Sequence, residues 1–535
     1  MPQMKERPIL QNKCYLYLTE FFSGVSVMAV ELGASRLLAP YFSSSQIVWT
    51  IIIGTIMIAM ALGNLWGGRA ADKNPDPDRL YARLLLAAVW IAAIPVLGKY
   101  VIAAISGALI LTISTNLLIT AAFLSCMAVF VFPLFLLGTV TPSLAKYTVD
   151  SLDDSGRTVG GLNAANTIGS ILGTFVPTFV TIPAVGTAAT FLIFSGVLLV
   201  LSLVYFLSAG ARKKTCAAAA ALFFVCSLLG HMGGFAFWQN DLTYESESVY
   251  NYLQVWEDDE RVVLSTNVLF GTQSVKMKDD GLTGMYYDYA LAAPVMAAAA
   301  QKDAPRILIL GNGTGTYAKQ CTRYFPGAVI EGVEIDEAIT ELAYEYFEMP
   351  QTVSVSTYDG RAYLQAADGK YDVILVDAYQ DITIPFQMST VEFFTEVKAR
   401  LAEGGVLAVN MNMHSDGEGS INEALTDTIA SVFGCVCTAD VKNQTNRELF
   451  AADFDLTAAL AKHLPDVEDE ELSAMMETVA GVLTPREGGN HILTDDKAPV
   501  EVLGMRMIDT LVQGEVGYYR DIFREGGLSA LVGAI

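Results

Sequence analysis

Seven apolar stretches, each close to bilayer-crossing length, fill the first 237 residues and limit what this chain can fold into. They lie at about 15–39, 46–68, 80–97, 117–142, 160–183, 186–208 and 215–237. A helix needs ~20 apolar residues to span the hydrocarbon core. In lipid only a structure that satisfies its own backbone is viable, so an α-helical multi-pass membrane domain is expected over 1–237. A shorter apolar segment, 100–114, reads as an eighth span or an interfacial helix. The first stretch is too long for the apolar core of a cleavable signal peptide.

Charge divides the chain at the same place. Residues 1–237 hold 14 Lys and Arg against 9 Asp and Glu, and the rest of the 535 residues hold 19 against 48. The second half is therefore soluble in character and strongly acidic. Such a surface repels phosphate, which argues against a nucleic-acid partner. A mean hydropathy of +0.41 excludes a disordered chain. Seven cysteines over this length do not form a disulfide framework. Cys435 and Cys437 make a lone C-x-C, read as strand residues, and no metal site is expected.

Basic residues orient membrane helices. Lys5, Arg7 and Lys13, then Arg69, Lys73, Arg79 and Arg83, then Arg212 to Lys214 all favour the cytosolic side. Seven spans satisfy all three groups and carry the acidic half outside. Eight spans bring it inside and break one group. Glu20 and Glu31 share a face of the first span, since eleven residues at about 100° each return to the same side. The bland reading is that Glu31 pairs with Arg36 and Glu20 snorkels to the interface. Asn163 and Asn166 are expected to bond between helices. Gly63-x-x-x-Gly67 and Gly169-x-x-x-Gly173 are explained by close helix packing.

Residues 244–290 read as a small β region, with strands near 249–256, 261–266 and 272–277 and turns at 258–260 and 269–271. Over 291–535 strands alternate with helices. Strands are expected at 306–310, 329–335, 353–356, 371–376 and 405–411, and helices from about 316, over 337–347 and over 390–402. That alternation implies an α/β Rossmann-like domain with a doubly wound, mostly parallel sheet. Gly311, Gly313 and Gly315 follow the first strand as G-x-G-x-G, where glycine lets backbone approach a ligand and the next helix offers free N–H groups. This spacing is not the G-x-G-x-x-G of a dinucleotide site. Glu334, Asp359 and Asp377 then stand at the ends of the second, third and fourth strands. Ligands of such sheets bind at those ends, so the set points to an adenosine ligand. Glu334 is placed to accept both ribose hydroxyls and Asp359 the adenine amino group.

The runs Val333-Glu334-Ile335-Asp336, Tyr358-Asp359-Gly360 and Tyr371 to Ala378 resemble spermidine synthases. So do Ser248-Val249-Tyr250-Asn251 and Gln273-Ser274. The closing run Leu493-Thr494-Asp495-Asp496-Lys497-Ala498-Pro499-Val500-Glu501 is similar to a fused membrane branch of that family, in which a module like half of a major-facilitator transporter precedes the synthase-like domain. Glu31 to Arg36, Leu62 to Arg69 and Asn166 to Gly173 resemble its spans. The resemblance implies a membrane-anchored enzyme that moves an aminopropyl group from decarboxylated S-adenosylmethionine to a polyamine or other small amine. It implies Asp377 as proton acceptor. Gly311, Gly313, Gly315, Glu334, Asp359 and Gln273 are implied as donor ligands, with Tyr250, Gln254, Tyr286, Tyr287, Tyr379 and Asp381 lining the pocket. It also implies a homodimer through the β region.

Two departures bear on the donor. Thr314 stands where the family has an Asp, and Gln380 where D-S-S-D has its final Asp; both carboxylates hold ammonium groups in the family. Asp381 is placed to replace one, and Asp288 stands where a Glu is usual. A methyltransferase using intact S-adenosylmethionine is therefore the alternative, together with a non-catalytic polyamine- or nucleoside-binding module for transport or sensing. S-adenosyl donors are made in the cytosol, so the acidic half is expected on that side of the cell membrane.

Overall fold

The computed structural model describes residues 8–507, apart from 43–44, 111, 114–115, 150–154, 231–233, 236, 238, 240–241, 268–271, 379–383 and 413–416, together with 517, 520–522 and 524–526. Lys5, Arg7, the turn at 269–271, Tyr379, Gln380 and Asp381 lie outside the described residues. The chain divides into two compact units, Met1–Gln239 with Gln513–Ile535, and Asn240–Val512. The terminal segment, expected with the α/β part, groups with the helices. Arg520 donates to the carbonyl oxygens of Ile110 and Ile113 at 3.0 and 2.6 Å.

The first unit is helical. Among the described residues, five stretches are long and apolar enough to cross a membrane: Lys13–Phe42, Gln46–Lys73, Pro77–Ile110, Leu117–Thr148 and Ser155–Ser208. The third overturns the reading of 100–114 as a separate element, because one helix runs unbroken from Pro77 to Ile110. The fifth joins two expected spans and is broken at Gly186, whose φ of 79° is outside the helical range. Lys213–Leu229 follows as a shorter apolar helix.

Small residues set the helix contacts in this unit. A Cβ on Gly169 would lie 2.0 Å from the Phe21 carbonyl oxygen, one on Gly173 2.3 Å from that of Val25, and one on Gly63 2.3 Å from that of Phe135. Backbones this close exclude any larger side chain. Glu20 does not snorkel. It is fully buried, and it accepts hydrogen bonds from Thr141 Oγ1 at 2.5 Å and Asn166 Nδ2 at 2.9 Å. Asn166 thus bonds between helices as expected, while Asn163 is exposed. Met57, Leu65, Phe179, Leu207 and Phe224 are each at least 60% exposed on the outside of the unit.

The second unit begins with β1 (Leu242–Glu247), β2 (Tyr252–Glu257), β3 (Arg261–Ser265) and β4 (Ser274–Met277), an antiparallel sheet in sequence order. The larger sheet contains β5 (Arg306–Leu310), β6 (Val329–Glu334), β7 (Ser354–Thr357), β8 (Tyr371–Val376), β9 (Leu401–Met411), β10 (Cys435–Asp440), β11 (Arg447–Ala452) and β12 (Thr484–Arg486). Its order is β12-β10-β11-β9-β8-β5-β6-β7. The β7-to-β9 side is parallel, as expected. Beyond β9 every pair is antiparallel, an extension not foreseen. Cys435 and Cys437 are strand residues of β10, as read.

Alternate residues of the parallel strands face opposite layers, so both faces are apolar and covered. Ile307, Ile309, Val373, Leu375, Ala408 and Phe450 pack under Tyr286–Met296 and Tyr317. Leu308, Leu310, Ile374, Val376 and Val409 pack under Phe393, Phe394 and Leu425. The closing run belongs to this second layer. Asp495 accepts from Arg361 Nη1 at 2.7 Å and Thr390 Oγ1 at 2.7 Å, which ties two helices together on the face away from Tyr286.

Candidate active site

Each parallel strand ends at one edge of the sheet, and the crevice beyond that edge is where such folds bind ligands. Gly311, Gly313 and Gly315 have φ of 92°, 53° and 79°, so the loop after β5 curls in a conformation other residues resist. Gly311 also has no room for a side chain: a Cβ there would lie 2.4 Å from the Asp377 carbonyl oxygen. Asp377 N in turn donates to the Leu310 carbonyl oxygen at 2.8 Å. The glycine loop and the Asp377 backbone are thus in direct contact.

Glu334 closes the loop from β6. Gly313 N donates to its Oε2 at 2.9 Å and Asp336 N to its Oε1 at 3.1 Å. The side chain is buried, and burial raises its pKa. Asp336 caps the helix Glu337–Glu345 and accepts from Ser248 Oγ at 2.5 Å and Asn251 Nδ2 at 2.9 Å. The Ser248-to-Asn251 motif therefore fastens the small sheet to the tip of β6. Asp359 lies past β7 and caps the helix Gly360–Ala366 by accepting from Ala362 N at 2.9 Å. Its other carboxylate oxygen accepts nothing from the described residues.

Asp377 is the chemical centre of the edge. Tyr286 OH donates to its Oδ2 at 2.6 Å and Asn410 Nδ2 to its Oδ1 at 2.8 Å. Asn446 Nδ2 donates to Asn410 Oδ1 at 2.9 Å and so fixes the orientation of that amide. Burial pushes the Asp377 carboxyl up to about 7; the bonds from Tyr286 and Asn410 oppose this, and the charge of Glu334 adds to it. A carboxyl with this value exchanges protons near neutrality, and each oxygen keeps a lone pair for a further donor.

The pocket residues separate. Tyr286 and Tyr287 are buried beside Asp377, and Tyr287 OH donates to the Gln273 carbonyl oxygen at 3.0 Å. Gln273 thus meets the site through its backbone in this arrangement. Gln254 is buried within the small sheet, where it accepts from Tyr252 OH at 3.2 Å and donates to the Asn267 carbonyl oxygen at 3.3 Å. Tyr250 is exposed at the bend before β2. Thr314 is buried with its hydroxyl 3.3 Å from that of Thr316. Asp288 is engaged structurally. It accepts from Gln320 Nε2 at 2.7 Å, Gly284 N at 2.6 Å and Thr283 N at 3.2 Å, which fixes the turn before Tyr286.

Two residues of this edge escaped sequence reading. Asn410 ends an apolar strand at the same level as Asp377, and that polar ending was readable. Glu448 sits in β11 beside Arg447, where an acidic residue next to a basic one reads as a solvated pair.

The spermine/spermidine synthase domain family matches residues 289–437. A probable polyamine aminopropyl transferase of Bifidobacterium longum (strain NCC 2705) is 53% identical over 351 residues, which covers 62% of this chain and 78% of that protein. The polyamine aminopropyltransferase of Vibrio vulnificus (strain CMCP6) is 30% identical over 218 residues, covering 39% and 70%. Among solved structures, a probable spermidine synthase from Corynebacterium glutamicum matches with a TM-score of 0.37 and 21% identity, covering 46% of this chain and 96% of that one. The chain is a transferase and belongs to the polyamine aminopropyltransferase family.

Proposed function

We propose that the chain transfers an aminopropyl group from decarboxylated S-adenosylmethionine to a polyamine or other small amine, and that its helical unit holds it in the cell membrane. The observation that carries the chemistry is the Asp377 carboxylate, which is half-buried at the tip of β8, held by Tyr286 and Asn410, and in backbone contact with the glycine loop.

The acceptor amine arrives as a cation, with a pKa near that of lysine, about 10.4. It must lose its proton to attack. A carboxylate at its ordinary 3.8 is a poor base for this, and a shift to about 7 narrows the mismatch by about 4 kcal/mol. The freed nitrogen attacks the methylene next to the sulfonium. The C–N bond forms as the C–S bond breaks, and the electron pair of that bond stays on sulfur. The leaving group is a neutral thioether, so the reaction generates no leaving anion for a metal to stabilise. The transferred proton rests on Asp377 until solvent takes it. Most of the remaining gain is alignment of the two reactants. Glu334 and Asp359 suit the ribose hydroxyls and the adenine amino group, and Gly311 to Gly315 let the donor approach the backbone.

Both relatives are aminopropyltransferases by name, which leaves methyl transfer and mere binding without support. The membrane reading rests on the five apolar helical stretches and on the exposed Met57, Leu65, Phe179, Leu207 and Phe224, a surface suited to lipid. A cytosolic donor supply assigns the α/β unit to the cytosolic side. Purified full-length protein in detergent, given decarboxylated S-adenosylmethionine with putrescine or spermidine, should release methylthioadenosine. Release with intact S-adenosylmethionine only, or no release, would overturn the reading. Alkaline phosphatase fused after residue 535 should stay inactive in cells; an active fusion would place the unit outside.

A further inference from the structure

Residues 238–535 carry 48 acidic residues against 19 basic ones, yet three of the basic ones meet at one cavity. It has a volume of about 180 Å³ and lies between β4, the turn after it and the helix Thr316–Tyr324. Lys276, Lys319 and Arg323 line it. Lys319 and Arg323 are four residues apart, so they share a face of the helix, and Lys276 joins them from β4. None of Gly311, Gly313, Gly315, Glu334, Asp359 and Asp377 lines this cavity, so it is separate from the strand tips.

Lys276 Nζ lies 2.6 Å from Glu348 Oε2, and Lys319 Nζ lies 3.1 Å from the same oxygen. Lys319 also pairs with Asp280 at 2.6 Å, and Arg323 with Glu471 at 2.9 Å. Ion pairing alone accounts for that much. The exposures of the first pair do not match, however. The Lys276 side chain is 8% exposed and that of Glu348 65%. An enclosed ammonium needs an anion, but a carboxylate this exposed gains little from staying. Glu348 also holds a φ of 54°, which a non-glycine residue resists. Its Oε2 marks a point on which two ammoniums converge, with a third cation on the same cavity. An oxyanion from solvent can take that point while Glu348 swings into water.

Gln320 narrows the choice of anion. It lines the cavity and is buried, its Nε2 is committed to Asp288 at 2.7 Å, and its Oε1 has no donor among the described residues. Such an acceptor calls for a ligand that carries a proton. Hydrogen phosphate keeps one at neutral pH. Sulfate does not, and a phosphate monoester sheds its last proton at about pH 6.

Glu348 also connects the cavity to the glycine loop. Met349, the next residue, is buried against Gly315, where a Cβ would lie 2.5 Å from its sulfur, and Asn312 Nδ2 donates to that sulfur at 3.3 Å. The two lysines therefore anchor Met349 on the loop through Glu348. We propose that the cavity binds hydrogen phosphate in place of the Glu348 carboxylate, and that this exchange loosens Met349 from the glycine loop and weakens binding of the adenosyl donor. The coupling rests on the reading that this loop receives the donor; the phosphate site does not.

Calorimetry on the full-length protein in detergent tests both parts, with inorganic phosphate titrated at constant ionic strength and methylthioadenosine titrated with and without it. Phosphate should bind saturably. Methylthioadenosine should then bind about fivefold or more weakly, and phosphate should lose the same factor in return. Arg323→Gln, at a side chain 40% exposed, should weaken phosphate about tenfold and leave methylthioadenosine binding in phosphate-free buffer unchanged. Glu348→Gln should bind phosphate about tenfold more tightly, because the competing charge is gone. That opposite sign separates displacement from a merely structural ion pair. No saturable phosphate binding, or binding that neither variant changes, overturns the proposal. Sulfate or methyl phosphate bound as tightly as phosphate overturns the choice of ligand. Phosphate bound with unaltered methylthioadenosine affinity overturns the coupling. If methylthioadenosine does not bind at all, the donor reading fails, and the phosphate titrations still decide the site. If Arg323→Gln fails to fold, Lys319→Gln takes its place with the same expected loss.

Discussion

Tyr286 reaches Asp377 across 91 residues of sequence and donates to it at 2.6 Å. The phenol is buried, and its own pKa is raised by burial and by the neighbouring carboxylate, so it stays a donor throughout the working pH range. Its bond orients the carboxylate and partly offsets the burial that makes Asp377 basic.

Loss of that bond should make the base stronger but less well aimed. Tyr286→Phe removes one of the two bonds that hold the Asp377 pKa down, so the pH midpoint of kcat/KM should move above its parent value. The rate at the optimum should fall about 10- to 100-fold. A pH–rate profile of both proteins checks this; an unmoved midpoint would mean that the titrating group is not Asp377.

The parent enzyme should gain activity as pH rises through about 7, because only the ionised Asp377 accepts a proton. Asp377→Asn should lose about 10²- to 10⁴-fold in kcat and show no rise over that range. Methylthioadenosine binding should persist, which separates lost chemistry from a lost site.

Stability should run the opposite way. Asp377 and Glu448 both have carboxyls whose folded pKa lies above the unfolded value. Their protonated forms favour the fold fully below the unfolded values, near pH 4, and the contribution declines as pH rises through the folded values. The loss has a limit of about 1.4 kcal/mol per pH unit for each group. Glu448→Gln should therefore melt at a higher temperature than the parent at pH 8 and show a flatter pH dependence. Thermal unfolding of the full chain at pH 5 and pH 8 tests the sign.

Gly311→Ala meets two obstacles at once, a φ of 92° and the Asp377 carbonyl oxygen 2.4 Å from the new methyl. A cost of about 2–4 kcal/mol is expected, with weaker methylthioadenosine binding, since the loop has to move. Calorimetry of binding and unfolding gives both numbers.

Gly169→Leu should disrupt the helical unit and leave the chemistry intact. Its Cβ would fall 2.0 Å from the Phe21 carbonyl oxygen, so the two helices must part. The variant should be less stable in detergent, with kcat within about twofold of the parent. A large loss of kcat in protein that remains folded would show that helix packing governs the site.

The order of strands β5 to β9 was legible because alternation of strand and helix is a local property. The strands at 306–310 and 371–376 lie where the apolar runs predict. The antiparallel addition was not legible, since periodicity carries no information on pairing direction. The tip residues Glu334, Asp377 and Asn410 lie at the ends of largely apolar runs, and such endings can be read, whereas Asp359 follows the mixed run Ser354–Thr357. Glu448 is different. Only its ladder partner Asn410 reveals that it faces the active edge, and ladder register is a long-range fact. Asp288 is the converse case: its acidic character is visible in the sequence, but the backbone donors of Thr283 and Gly284 that occupy it are products of a turn. Glu20 was read as snorkelling because its partners Thr141 and Asn166 come from helices far along the chain.

The change of strand direction beyond β9 separates two kinds of inheritance. Gly311 and the Asp377 carbonyl are jammed together, so the loop after β5 admits no side chain at that position. β11 pairs on one side with β9 and on the other with β10, and touches none of the loops after β5, β6 or β7 through its ladder. A change in β11 therefore leaves the glycine loop and its contact with the Asp377 backbone in place, so the two sides of the sheet can vary independently.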